Sequence, residues 1–219
     1  MISHDPIIPP DTDFSPAAHR NSAPIFDRLF PWIEQMMEKS GQEQLTLLEL
    51  ASGTGQHAAY FASRHPALLI QPSDQTTERA KSVQTWVLSH GVSDQVAMMK
   101  AIDVTQPSMW PKLRFDILYC ANMIHISPWA TTEALFRESS SHLQRHGLLI
   151  TYGPYRFDTP LAPSNASFDE SLKQRNPRWG IRSIDQLDRL AAQVGLKRIE
   201  TISCPANNHL LIFALDTSP

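Results

Sequence analysis

Leu47-Leu48-Glu49-Leu50-Ala51-Ser52-Gly53-Thr54-Gly55-Gln56-His57-Ala58 decides the fold of this 219-residue chain. Its apolar start predicts a short strand, its small residues a turn, and its end a helix over 56–64. Gly53 and Gly55 have no Cβ, so the backbone turns sharply and a ligand can lie against it. The helix that follows points free N–H groups at whatever occupies the turn. Strand, glycine turn and helix in that order is where α/β proteins hold nucleotide-like cofactors. Taken alone it is also simply a tight βα turn.

Three acids sharpen the reading. Glu49 lies inside the first strand. Asp74 follows the buried-strand run Leu68-Leu69-Ile70-Gln71, where nucleotide-binding folds place a carboxylate on ribose hydroxyls. Asp103 ends a strand candidate over Val96 to Ile102, within reach of an adenine amino group. Each acid alone is a solvated turn residue or a helix cap. At three successive strand ends they fit S-adenosylmethionine (SAM) better than a dinucleotide. SAM has no pyrophosphate for the helix to attract, and its sulfonium and amino groups tolerate a carboxylate such as Glu49 near the loop.

Composition bounds the rest. A chain of 219 residues, 42% hydrophobic, is long enough to bury a full core. At about 100–200 residues per domain it makes one domain with decorations. We expect an N-terminal arm over 1–23, rich in proline and polar residues, and a domain over 24–219. A net charge of −3 advertises no nucleic acid and no anionic membrane. The start Met1-Ile2-Ser3-His4-Asp5-Pro6 shows no signal-peptide pattern, and no apolar run reaches the roughly 20 residues of a membrane span. Cys120 and Cys204 form no CxxC and read as buried thiols in a reducing compartment, so the expected location is cytoplasmic.

Helix and strand signals alternate along the chain. Pro24 to about Lys39 carries Ile25, Leu29, Trp32, Ile33 and Met36 at helical spacing, with Pro24 suited to the first turn. Further helices are expected near 75–90, 129–144 and 183–194. Strands are expected near 46–51, 67–71, 95–102, 115–121, 147–153, 197–203 and 208–215. This alternation predicts an α/β fold, a mainly parallel, doubly wound sheet. Only Pro205-Ala206-Asn207-Asn208 separates the last two strands, so they should pair as an antiparallel hairpin.

The motifs together resemble a known family. They are Glu49-x-x-x-Gly53-Thr54-Gly55-Gln56-His57, Gln71-Pro72-Ser73-Asp74, Asp103-Val104-Thr105, Asn122-Met123-Ile124-His125-Ile126-Ser127-Pro128-Trp129 and Tyr152-Gly153-Pro154-Tyr155. With them go Pro163-Ser164-Asn165, Trp179-Gly180-Ile181-Arg182 and Pro205-Ala206-Asn207-Asn208. The set is similar to the methyltransferase-like 26 family, catalogued as a domain of unknown function, from about Ser15 onward. The resemblance implies the class I SAM-dependent methyltransferase fold, a Rossmann-like seven-stranded sheet with an antiparallel last strand. It implies no particular substrate. It also implies that Arg20 folds over the cofactor and binds its methionine carboxylate.

In that fold, residues after the fourth strand face the transferable methyl group. Here they are Asn122, Met123 and His125. His125 is the candidate base, since an unperturbed imidazole titrates near ~6.5; it is equally a histidine bonded under the next helix. The stretch 154–180 is long for a connection and reads as a lid over a small-molecule acceptor, or equally as a solvated loop pinned by Phe168 and Trp179. Tyr152, Tyr155, Asn165, Trp179, Arg182 and Asn207 are the candidate acceptor contacts, and aromatics beside arginines suggest a carboxylate-bearing molecule. Asn207 also fits ordinary turn chemistry. His142 and His146 stand at metal-ligand spacing on one expected helix face but have no third ligand nearby, and they read as cations or caps at the helix C-terminus, so no metal is expected. Two other functions stay open. Gly53-x-Gly55-x-x-Ala58 with Asp74 formally satisfies the nicotinamide fingerprint of an oxidoreductase, and the chain also fits a SAM-binding protein without turnover.

Overall fold

A computed structural model describes residues 8–10 and 12–217. Part of the expected arm, residues 1–7 and 11, lies outside them. The first helix, α1, runs Pro16–Ser40 and so begins eight residues before the expected start at Pro24. Ser15 caps it, its Oγ accepting the Ala18 N–H at 3.2 Å. Pro24 and Pro31 are inside the helix. Each removes one backbone donor, but burial of Ile25, Phe26, Leu29, Ile33 and Met36 carries the helix through them.

The strands are β1 (Leu45–Leu50), β2 (Leu68–Asp74), β3 (Lys100–Ala101), β4 (Phe115–Ala121), β5 (Leu143–Gly153), β6 (Leu196–Cys204) and β7 (Asn208–Leu215). They form one sheet in the order β3-β2-β1-β4-β5-β7-β6. β3 to β5 run parallel, and β7 pairs antiparallel with both β5 and β6. The expected hairpin is present. The expected strand over 95–102 shrinks to two residues plus a bridge from Val96 to Ile70. Pro72 explains the gap: it has no N–H for the rung between those of Ile70 and Asp74, and Gln71 Nε2 donates to the Met98 carbonyl at 2.8 Å there.

The remaining helices are α2 (Gln56–Arg64), α3 (Ala80–Ser89), α4 (Trp129–His142), α5 (Pro163–Arg175) and α6 (Ile184–Gln193). Side chains of α1, α2 and α3 share a core on one face of the sheet with Leu47, Tyr119, Tyr152 and Leu210. Those of α4 and α6 cover the other, with Leu48, Leu118, Tyr155 and Phe213. No helix was expected between 154 and 180; α5 fills half of that stretch. Among the described residues no helix is long and apolar enough to cross a membrane. The topology reverses between β1 and β4, and open α/β sheets hold ligands outside the carboxyl ends of the strands at such a point.

Candidate functional site

A crevice of about 590 Å³ opens at that reversal. Its walls are the Ala51–Thr54 turn on one side and Ala121–Asn122 on the other. Asp13 to Ala18 form its roof. The roof is fastened down: Ser15 N donates to Gln56 Oε1 at 2.7 Å, Asp13 N to Ser82 Oγ at 3.1 Å, and Trp86 Nε1 to the Asp13 carbonyl at 3.1 Å. The two glycines have different reasons for being glycine. Gly53 has φ +56°, and a Cβ there meets no atom within 4 Å, so its bare backbone faces open space. A Cβ on Gly55 would stand 2.7 Å from Val83 Cα. Gly55 therefore lets α2 pack on α3, and it does not line the crevice.

Beneath the turn lies a buried polar cluster. Glu49 is only 3% exposed, and its Oε2 has no hydrogen-bond partner among the described residues. Its Oε1 is 3.7 Å from Nδ1 of His57, which in turn stands 3.4 Å from the Tyr119 hydroxyl. Burial pushes the Glu49 carboxyl up to about 8 and the His57 imidazole down to about 4. Both are therefore neutral near pH 7. His57 lines the crevice, and sequence reading had missed it.

Asp74 accepts the Gly53 N–H at 3.0 Å and the Gln75 N–H at 2.8 Å, so it shapes the glycine turn. Asp103 accepts from Thr105 N and Oγ1 at 2.9 and 2.7 Å. Those bonds hold its carboxyl below the usual range. Gln75 Nε2 reaches Asp103 at 3.5 Å, joining the two acids along one edge. Arg20 is exposed on α1, just beyond the Pro16–Ala18 turn that roofs the crevice.

The loop after β4 turns at Asn122, which has φ +60°. It buries His125 completely, with neither ring nitrogen hydrogen-bonded to a described residue. Burial pushes His125 down to about 3, and the Arg182 charge adds to the effect. Its ring packs edge-on against Tyr155 at 5.1 Å. A Cβ on Gly153 would clash with it at 2.4 Å. His125 lines neither the crevice nor the second cavity, which holds about 340 Å³. That cavity is bounded by Tyr155, Phe157, Asn165, Asn207 and His209. Three expected acceptor contacts thus come together there, and His209 joins them without having been foreseen. It sits opposite Gly153 in the β5–β7 ladder, a pairing no local sequence signal reports.

The other candidates fall elsewhere. Tyr152 is buried on the α1 face, opposite to Tyr155, where burial pushes its hydroxyl up to about 12. Arg182 is a brace: Nε donates to the Ile124 carbonyl at 2.7 Å, and Nη2 to the carbonyls of Ser127 and Arg178. Trp179 lies under Arg175 at 5.4 Å and lines neither cavity. Asp169 anchors the 154–180 stretch by accepting from Arg156, Lys173 and the Ile181 N–H at 3.1, 2.6 and 2.7 Å. His142 ends α4 and His146 lies in β5, so they share no helix face, and no group of three metal-ligating side chains occurs among the described residues.

Solved structures share this architecture. An O-methyltransferase family protein from Burkholderia thailandensis matches with TM-score 0.70 and 16% identity, over 93% of this chain and 60% of that one. An O-methyltransferase family 2 protein from Planctomyces limnophilus, in complex with apigenin, gives 0.68 and 20%, over 78% and 50%. The O-methyltransferase NcsB1 from neocarzinostatin biosynthesis, in complex with SAM and 2-hydroxy-5-methyl naphthoic acid, gives 0.64 and 14%, over 78% and 48%. This chain thus spans about half to three-fifths of their length, and at these identities the likeness is one of fold: the class I SAM-dependent methyltransferase fold. A family model described as a protein of unknown function (DUF938) matches residues 12–215, and the chain belongs to that family.

Proposed function

We propose that this protein is a SAM-dependent methyltransferase that modifies a small-molecule acceptor by direct methyl transfer. The observation that carries the reading is Glu49. Its buried, unpartnered Oε2 sits beneath a crevice at the sheet's reversal point, in a fold shared with methyltransferases. A buried carboxylate without a partner is costly unless a cation arrives, and SAM is cationic at its sulfonium and amino groups. The finer resemblance of the sequence motifs to the methyltransferase-like 26 family supports the same reading.

SAM supplies, when bound, a methyl group already activated on sulfur. The chain therefore needs to supply alignment and a dry site. Gly53 leaves room for the cofactor against bare backbone, and Asn122 bounds the opposite wall. Asp74 keeps acceptor capacity beyond its two backbone bonds, because each carboxylate oxygen has two lone pairs; it is assigned to the ribose, and Asp103 to the adenine edge. Arg20 is assigned to the methionine carboxylate. His125, the expected base, is fully buried, lines neither cavity and is pushed down to about 3, which disfavours its protonated form; its assigned part is to pack the loop after β4, and with it Asn122, against Tyr155 and Gly153.

Calorimetric titration with SAM, S-adenosylhomocysteine (SAH) and NADH tests the cofactor. Micromolar binding of the first two with none of the third is expected; NADH binding alone would replace this reading with the oxidoreductase one. Transfer of labelled methyl from SAM into a small-molecule extract then tests turnover. Binding without any transfer would leave a SAM-binding protein.

A further inference from the structure

We infer that the cavity between Tyr155, Phe157, Asn165 and His209 is the acceptor's seat and takes an uncharged, planar aromatic molecule. Only its role as acceptor seat rests on the methyltransferase reading; the cavity and its chemistry do not. At about 340 Å³ it falls in the size range of small-molecule sites. It opens at the β5–β7 end of the sheet edge that also carries the crevice. His209 pairs with Gly153, and a Cβ on Gly153 would touch His125 and approach Asn122 Oδ1 at 3.3 Å. Asn122 is the far wall of the crevice. One continuous row of residues therefore links the two spaces.

The walls select by shape and charge. Phe157 and His209 meet edge to face at 4.8 Å and 61°, offering a third ring a stacking surface. Tyr155 commits its hydroxyl to Thr151 Oγ1 at 2.8 Å and is one of the residues that border the cavity. Thr159, Pro160, Leu161 and Ala162 complete the lining, and no lining residue carries a formal charge. Burial holds His209 neutral as well. A carboxylate or ammonium entering this space would give up water and find no opposite charge. None of Arg156, Arg175, Arg178 and Arg182 lines the cavity; Arg156 is paired with Asp169, Arg175 lies over Trp179 and Arg182 bonds backbone carbonyls.

The floor is built rather than incidental. Asn165, 8% exposed, donates from Nδ2 to the Asn207 carbonyl at 3.0 Å and so fastens α5 to the β6–β7 turn. Ala206 and Asn207 both adopt left-handed backbone, φ +58° and +56°. Such conformations persist where the surroundings fix them, and they cluster at ligand sites. His209 Nδ1 is buried and unpartnered among the described residues, which leaves a polar group for a ring substituent to satisfy.

The test uses two probes with the same rings, 2-naphthol and 2-naphthoate, of which only the second is anionic at pH 7. The full chain is titrated with each, with and without SAH. Saturable 2-naphthol binding is expected, with 2-naphthoate at least tenfold weaker. Leu161→Trp and, independently, Ala162→Phe fill the cavity and should abolish 2-naphthol binding; His209→Phe should weaken it about threefold to tenfold. SAH affinity and melting temperature, read on the same samples, should stay at wild-type values and so report folding. Absent 2-naphthol binding, equal or tighter 2-naphthoate binding, or indifference to both filling variants overturns the inference. Probe binding without SAH binding upholds the cavity and removes the methyltransferase reading. SAH binding without probe binding does the reverse.

Discussion

Gly153 and His125 share one volume: a Cβ added to the last residue of β5 would stand 2.4 Å from Nε2 of the imidazole. The strand end is bare because the loop after β4 needs the space. Gly153→Ala should therefore displace the ring, lower the melting temperature and impair methyl transfer, with cofactor affinity nearly intact. His125→Ala in the same chain should restore part of the stability, giving a coupling of roughly 0.5–3 kcal/mol in denaturant titrations. Simple additivity of the two losses would show that the residues do not compete for space.

The crevice glycines should separate on mutation. Gly55→Ala drives a methyl into Val83 and should cost about 1–3 kcal/mol of stability by overpacking. Gly53→Asn tolerates the left-handed backbone and projects its side chain into open space. It should melt close to wild type and lose SAM binding. A folded Gly53→Asn protein with unchanged SAM affinity would remove the turn from the cofactor site.

Protons should accompany the cofactor. Glu49, held near 8 by burial, is protonated in the free protein at neutral pH, and a cation beside Oε2 would ionise it. SAM affinity should rise from pH 6 to pH 8, and calorimetry in buffers of different ionisation heat should report release of a fraction of a proton at pH 7. Glu49→Gln should abolish both effects. Identical heats in all buffers for the wild type would contradict the assignment.

Stability carries its own pH signature. Glu49 has its folded value raised, so its contribution is full below 4.5 and is lost as pH rises through about 8. His57 and His125 have theirs lowered, to about 4 and about 3, so their contributions are full above 6.5 and are lost as pH falls through those values. Urea midpoints should be highest between these limbs. The decline from pH 6.5 to 5 should flatten in His57→Phe, and an unchanged slope there would show that His57 is not buried neutral.

Arg182 should behave as a structural fork. Arg182→Ala leaves the carbonyls of Ile124, Ser127 and Arg178 without its donors, and Arg182→Lys cannot reproduce the spread of bonds. Both variants should accelerate hydrogen exchange over 122–129 and cost about 1–3 kcal/mol. Wild-type exchange in the alanine variant would mean the loop holds itself.

What could be read from sequence was local. β4, β7 and α2 match expectation at both ends, because apolar runs and glycine turns act on neighbouring residues. α1 was cut short because proline ordinarily opens a helix, and only burial on the sheet carries it past Pro24. α5 was invisible because it buries Asn165, Asp169 and a single apolar residue, Leu172, so no apolar stripe announces it. The glycine turn and the acids were legible as a motif. The second cavity was legible only in pieces, since His209 owes its place to a cross-strand partner more than fifty positions away in the chain.

β7 lies between β5 and β6 although it comes last in the chain. During synthesis the outer edge of β5 therefore stays bare, a line of unpaired amides and carbonyls, until residues 208–215 leave the ribosome. The same final strand delivers His209. Chains arrested before residue 208 should be cut readily by protease, and full chains held on the ribosome by an added linker that carries residue 215 clear of it should resist. Closing the sheet and finishing the wall of the second cavity then fall to the same eight residues, so one late pairing serves both.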